Sequence, residues 1–221
     1  MPYFGAMVVD WDLKTTLDGL YCAGDAIFAA NDWHHAAITG RYAGRKAAEY
    51  ALKAAAPRIV RKQIDGEKTR VYAPVKRESG IDWKELRAVG ARVLQTYCGG
   101  MKNEPLMQIG LKWAKDIERD VCPEVCAGNP HILLRVLESF NMITCDQLII
   151  QASLGRKASS QHLGFFRQDY PAMDPPEWEK WLTIQQVNGD VKRGELPIHF
   201  WGSLKKNYET HNKNYKGYYK K

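Results

Sequence analysis

At 221 residues, 45% of them hydrophobic and 26% charged, the chain has a globular protein's composition, which excludes global disorder. Its formal net charge of +7 points to a solvated basic surface or to an acidic partner. The longest apolar stretch, starting at Ile132 to Leu134, is broken by Arg135 and Glu138, and no basic segment followed by an apolar core opens the chain. Neither a transmembrane helix nor a signal peptide is therefore expected.

Residues 1–56 read as strand, turn, strand, loop, helix. Ala6 to Val9 is a short apolar run, and the polar turn from Asp10 to Asp18 separates it from a second run, Gly19 to Ala23, which ends at Gly24-Asp25. From about Trp33 a helix is predicted through Ala36, Ala37, Tyr42, Ala43, Ala47, Ala48 and Ala51. Its alanines, with Gly40 and Gly44, make a thin face suited to close packing on a sheet. Residues 57–80, punctuated by Pro57, Gly66, Pro74 and Gly80, read as a polar linker.

Three helices should follow. Asp82 can cap the first, with Trp83, Leu86, Val89, Val93, Leu94 and Tyr97 near one face and Gly99-Gly100 as the stop. Asn103 can cap the second, with Pro105 in its first turn and Leu106, Gly110, Trp113 and Ile117 inward. Asn129-Pro130 starts the third, with Leu133, Leu137 and Phe140 inward, reaching Leu154-Gly155. Beyond Gly164 the chain turns irregular, and Leu182 to Val187 and Glu195 to Trp201 flank Asn188-Gly189-Asp190 as a predicted hairpin.

Five cysteines, Cys22, Cys98, Cys122, Cys126 and Cys145, are odd in number and scattered, which argues against a disulfide framework. Cys122 and Cys126 are a close pair with no second pair to complete a zinc or iron–sulfur site. Reduced thiols, a cytoplasmic location and no resident metal are expected. The basic excess lies in Arg58 to Glu78 and in the tail from Lys205 to Lys221, where Tyr208, Tyr215, Tyr218 and Tyr219 interleave with lysines. Such a pattern can stack and neutralise nucleic acid, but no nucleic-acid-binding motif accompanies it, and a docking surface for a protein subunit is the favoured expectation.

The candidate chemistry lies in Thr15-Thr16-Leu17-Asp18-Gly19-Leu20-Tyr21-Cys22-Ala23-Gly24-Asp25. Gly24 lets a backbone approach a ligand, and Asp25 can accept a hydrogen bond from a hydroxyl just beyond it. The helix that follows can then turn its N-terminal amides and positive dipole end toward an anionic group. The stretch closely resembles the second flavin-binding motif of flavoproteins with two dinucleotide-binding domains, T-x-x-x-G-L-[FY]-x-x-G-[DE]. A second stretch, Gly164-Phe165-Phe166-Arg167-Gln168-Asp169-Tyr170-Pro171-Ala172-Met173-Asp174 with Trp178, resembles one near the end of the adenylylsulfate reductase flavoprotein subunit. Succinate dehydrogenase and fumarate reductase share a looser R-x-D-x-P form of it.

The resemblance implies an α+β fold: a partial FAD-binding β-β-α segment, then a helical bundle C-terminal domain with a short terminal β-hairpin. It divides the chain into 1–56, a C-terminal fragment of an FAD-binding domain, 57–80, a linker, and 81–221, a helical flavoprotein domain with an extended tail. It implies FAD as cofactor, held at Gly24, Asp25, Ala36, Ala37 and Thr39. His34 and His35 are placed to donate a proton or bind an anion as catalytic groups, or else to cap the helix or touch the flavin edge.

By the same resemblance, electrons pass between flavin and a small oxidised substrate such as adenylylsulfate, with an iron–sulfur protein subunit as partner. The family's G-x-G-x-x-G turn and capping domain are absent from this sequence, and a missing N-terminal half of the flavoprotein is expected to supply them. Where fumarate reductases have G-A-N-R, this chain reads Ala29-Ala30-Asn31-Asp32. The alternatives are a dicarboxylate oxidoreductase subunit, or a non-catalytic interaction module that docks through the basic linker and tail. Arg156, His162 and Arg167 either contact a nucleotide or the flavin domain, or form salt bridges with Asp169 or Asp174.

Overall fold

The computed structural model describes residues 5–27 and 33–216, with side chains as far as Thr210. The architecture is α+β. In chain order the elements are α1 (Trp33–Ala51), α2 (Arg61–Tyr72), α3 (Trp83–Tyr97), β1 (Met101–Lys102), α4 (Glu104–Asp116), α5 (Pro130–Gly155), β2 (Phe166–Arg167), β3 (Lys180–Val187), β4 (Asp190–Pro197) and α6 (Leu204–Lys216). Two compact units result: Ile59–Ile198, and the residues before it together with those from His199 onward. Among the described residues, no helix is long and apolar enough to cross a membrane.

The larger unit is built on α3, α4 and α5, each started by a side chain that accepts a hydrogen bond from an otherwise unpaired amide. Asp82 accepts from the Lys84 N–H, Asn103 from Leu106 and Asn129 from Ile132. Pro105 and Pro130 occupy first-turn positions, where a missing N–H is harmless. Down α5 the residues Val136, Ser139, Ile143, Asp146, Ile150 and Ser153, three and four apart, are all buried. Leu86, Val93, Ile117, Val125 and Ala127 close over the first half of that seam with Val136 and Ile143, and Cys98, Met107, Leu111 and Leu154 close over the second with Ile150.

Two glycines let the helices interlock. A Cβ on Gly90 would lie 2.6 Å from Ile143 Cδ1, and one on Gly110 would lie 2.5 Å from Tyr97 Cβ.

The inward faces differ in part from the expectation. Leu86 and Val93 are core residues, but Val89 is 41% exposed. In α4 the buried residues are Met107, Gly110, Leu111 and Ala114, while Leu106 and Trp113 face outward. Gly110 and Ile117 are buried as expected, but apolar residues cover more than one side of α4, so spacing alone left open which others join them.

The 57–80 segment is not all loop, because α2 occupies half of it. Gly66 interrupts that pattern without ending it, and the Arg70 guanidinium grips Glu67 one turn back, Nε at 2.9 Å and a terminal nitrogen at 2.6 Å. The hairpin begins earlier than expected, with β3 and β4 paired antiparallel from Lys180–Pro197 to Val187–Asp190. Asn188 (φ 54°) and Gly189 (φ 88°) form the left-handed two-residue turn that matches the twist of its strands.

In the smaller unit the two apolar runs before α1 do not form a continuous ladder among the described residues. Each run is instead bridged singly to the turn between them, Val9 to Thr15 and Tyr21 to Lys14. Side chains of α1 pin the turn between them: the Tyr42 hydroxyl donates to Asp12 at 2.9 Å and the Tyr50 hydroxyl to Asp18 at 2.5 Å, while Lys14 donates to Asp18 within the turn. The C-terminal segment belongs here too, through a bond of 3.1 Å from Trp201 Nε1 to the Val9 carbonyl and a 6.4 Å contact between the Trp11 and Trp201 rings.

Candidate functional site

Gly24 is buried and takes a φ of +64°, opening a 3-10 turn that runs to Ile27. That conformation favours glycine over any residue with a side chain. A Cβ there would be in contact with Ala36, 3.5 Å from its Cβ. The Gly24 N–H donates to Thr39 Oγ1 at 2.9 Å, and the Thr39 hydroxyl donates in turn to the His35 carbonyl at 2.6 Å. A hydroxyl that both accepts and donates thus joins the end of the Gly-acid segment to the first turns of α1.

Gly24, His35, Ala36 and Thr39 are therefore brought together. Asp25, beside Gly24, is exposed, as are His34, Ala36 and Ala37 on the first turn of α1. The His34 and His35 rings lie 4.8 Å apart. The opening amides of a helix have no acceptor inside it, so this end of α1 carries donors and partial positive charge. The stretch Ala29 to Asp32 lies outside the described residues. Glycine backbone, an exposed carboxylate, small side chains and a helix N-terminus thus lie close together at this joint.

The second motif folds into a different kind of site. The Arg167 side chain is fully buried, and its guanidinium grips Asp169 with Nε to Oδ1 at 2.7 Å and a terminal nitrogen to Oδ2 at 2.6 Å. Its other terminal nitrogen donates to the carbonyls of Ser153, at 2.8 Å, and Arg156, at 2.7 Å, capping the end of α5. The same Asp169 carboxylate accepts from the Glu104 N–H at 2.8 Å, at the start of α4. One ion pair therefore joins the C-terminus of one helix to the N-terminus of another. Arg167 holds the Asp169 carboxyl down to about 2.

Arg167 accordingly serves as a structural clamp. Arg156 lies over Trp178, 5.7 Å from the ring centre, with Lys180 at 4.6 Å from the same ring. Asp174 accepts from the Gln161 N–H at 2.9 Å, and hydrogen bonding from the Ser160 side chain, with that amide, holds its carboxyl below the usual range.

Two buried ionisable residues were missed in the sequence reading. Lys102, 3% exposed, donates to the Gly99 carbonyl at 2.6 Å and lies 4.8 Å from the Phe165 ring centre. Asp146, 7% exposed, sits in the apolar seam of α5, and burial pushes its carboxyl up to about 6. Its place in the three-and-four repeat was the clue that could have revealed it. Burial, with the Glu118 charge, lifts the Cys122 thiol to about 11, and among the described residues no cluster of His, Cys, Asp and Glu could hold a metal ion.

No family model matches this chain, and no curated protein does. Solved structures do match in fold. The structure of Mycobacterium smegmatis Sdh1 in complex with UQ1 matches with a TM-score of 0.68 at 22% identity, over 86% of this chain and 34% of that one. A mutant of E. coli quinol fumarate reductase FrdA matches with a TM-score of 0.68 at 17% identity, over 86% and 35%. A quinol–fumarate reductase with menaquinol molecules matches with a TM-score of 0.70 at 18% identity, over 86% and 36%. The chain thus spans about a third of the length of these proteins. The likeness is one of fold.

Proposed function

We propose that the chain is the C-terminal part of an FAD-dependent oxidoreductase of the fumarate reductase, succinate dehydrogenase and adenylylsulfate reductase group. The observation that carries the proposal is the joint at Gly24. A buried left-handed glycine, hydrogen-bonded to Thr39 at 2.9 Å, sets an exposed Asp25 beside the first turn of α1. The likeness in fold to fumarate reductase chains supports it independently.

These residues fit an FAD. Asp25 would accept from a ribityl hydroxyl, Ala36 and Ala37 would leave room for the ring, and Thr39 would hold Gly24 in place. When bound, the flavin supplies electron transfer to or from the substrate. His34 and His35, on the same turn, are the candidates for moving a proton or holding a substrate anion. In this proposal residues 1–56 complete an FAD-binding domain, residues 57–80 connect it to the rest, and residues 81–221 form the helical domain. A segment carrying the glycine-rich pyrophosphate turn supplies the remainder of the cofactor site, and an iron–sulfur subunit exchanges electrons with it.

The proposed substrate is a small oxidised molecule, adenylylsulfate, on the strength of the Gly164 to Trp178 resemblance. The fold likeness favours a second reading, dicarboxylate chemistry. Against it, Asp32 stands where the G-A-N-R pattern has arginine, and a carboxylate does not attract a dicarboxylate.

Flavin occupancy of a subunit reconstituted with the N-terminal half tests the cofactor proposal. Asp25→Ala should remove a charge-assisted hydrogen bond worth about 1.5–3 kcal/mol, roughly a tenfold or greater loss in FAD affinity. Gly24→Val should be worse, and Asp65→Ala, in α2, is the control. Equal flavin in all three proteins would refute the assignment. Turnover of adenylylsulfate against fumarate by the same preparation separates the two substrate readings.

A further inference from the structure

Helix α2 lacks what normally holds a short helix together. It has 12 residues, none buried, no side-chain hydrogen bond at its N-cap Val60, and Gly66 in its interior. A helix so short is marginal in water on its own, and most helical stability comes from packing one face against a partner. One face of α2, carrying Gln63, Ile64, Glu67, Lys68, Val71 and Tyr72, forms a shallow groove open to solvent.

The sequence around this groove has a symmetry that names the partner. About the midpoint between Glu67 and Lys68, apolar residues mirror apolar ones, Ile64 with Val71 and Val60 with Val75. About the same midpoint acids mirror bases, Glu67 with Lys68 and Asp65 with Arg70. That is what a helix needs to pair antiparallel with itself, because a two-fold axis brings each residue against its mirror position in the second copy. Of the mirrored apolar residues, Ile64 is 37% exposed and Val71 is partly exposed, and just beyond the helix ends Val60 is 40% and Val75 46% exposed.

We propose that α2 is a self-association element, through which two copies of this chain pair antiparallel about an axis between Glu67 and Lys68. Ile64 then packs on Val71 of the second copy, and Glu67 meets its Lys68. A parallel pairing would set Glu67 against Glu67 and Lys68 against Lys68, which like-charge repulsion disfavours. The bonds from Arg70 orient the Glu67 carboxylate without using all its acceptor capacity. Nucleic acid or an anionic surface fits this face poorly, because Asp65 and Glu67 interrupt its basic residues. Helices of this length are about 18 Å long. Their contact falls short of the roughly 1,200 Å² of a stable complex, so the dimer is weak and concentration-dependent.

Sedimentation equilibrium of the 221-residue chain, carried to high concentration at low salt, tests this. The wild type should move from monomer toward dimer. Glu67→Lys and Lys68→Glu should each weaken association by roughly tenfold or more, since each places like charges across the axis twice. The double variant E67K/K68E should restore it, and Ile64→Asp should abolish it. Lys68→Glu leaves the bonds between Arg70 and Glu67 intact, so its effect is separable from damage to the helix, and circular dichroism checks that each variant folds. A wild type that stays monomeric overturns the proposal and leaves this face to a different protein. So does a dimer insensitive to both charge reversals, or a double variant as weak as the single ones.

Discussion

The Arg167 guanidinium and the Asp169 carboxylate meet in a two-pronged pair, at 2.7 and 2.6 Å, and the carboxylate also receives the Glu104 N–H. Because the arginine is fully buried, removing it takes a donor from the Ser153 and Arg156 carbonyls and loosens both helix ends. Arg167→Ala should destabilise the chain by about 3–5 kcal/mol in urea unfolding, as breaking a buried pair does. Arg167→Lys should recover only part of this, because an ammonium cannot make the planar fork. A loss below about 1 kcal/mol for Arg167→Ala would mean that the clamp is not structural.

Asp146 should make stability depend on pH in the mildly acidic range. Its carboxyl is raised from 3.8 to about 6 by burial, so the folded chain keeps a proton that the unfolded chain releases. Stability should therefore fall as pH rises from about 4 through 6, by on the order of 2 kcal/mol, and change little above that. Asp146→Asn should flatten this slope. Asp169, lowered to about 2, acts in the opposite sense. Its contribution is present above about 4 and is lost as pH falls toward 2. Thermal unfolding of wild type and Asp146→Asn at pH 5 and pH 7 decides the matter: parallel curves would exclude Asp146 as the source.

The helix–helix glycines Gly90 and Gly110 should respond to alanine in the opposite way to Gly66, which lies on the open surface of α2. Gly90→Ala and Gly110→Ala would force contacts of 2.6 Å with Ile143 and 2.5 Å with Tyr97, and should each cost about 1–3 kcal/mol. A Cβ on Gly66 meets nothing within 4 Å, so Gly66→Ala should stabilise α2 by up to about 1 kcal/mol. Urea midpoints of the three variants give the comparison.

Thr39 should protect the Gly24 amide from exchange. Thr39→Val removes the acceptor and leaves a buried N–H unpaired, at a cost of about 1–3 kcal/mol, whereas Thr39→Ser keeps the hydroxyl. Hydrogen exchange at Gly24 should quicken in the valine variant alone. Equal protection in both variants would show that the hydroxyl does not hold this joint.

What the sequence determined by itself is local. Asp82, Asn103 and Asn129 announce helix starts because a cap is a contact between a residue and an amide two or three positions away. Asn188-Gly189 announces the hairpin for the same reason, since only the left-handed conformations these residues tolerate reverse the chain in two steps. The Gly24-Asp25 ending and the helix after it were legible as a motif. That Thr39 joins the two was not, because its bond to Gly24 spans a separation of 15 residues.

The tertiary structure decided the rest. Which side of α4 is buried depended on where α3 and α5 lie: Trp113, expected inward, faces outward, and Met107 is buried. Arg167 could be read as a ligand contact or as an ion-pair partner until packing enclosed it with the ends of α4 and α5. The C-terminal segment belongs with the N-terminal residues through contacts such as Trp201 with Val9, 192 positions apart in the sequence. Periodicity and propensity report a residue's preference for a conformation. Only the packed chain settles which neighbours meet it and whether its charge ends in water or beneath a helix.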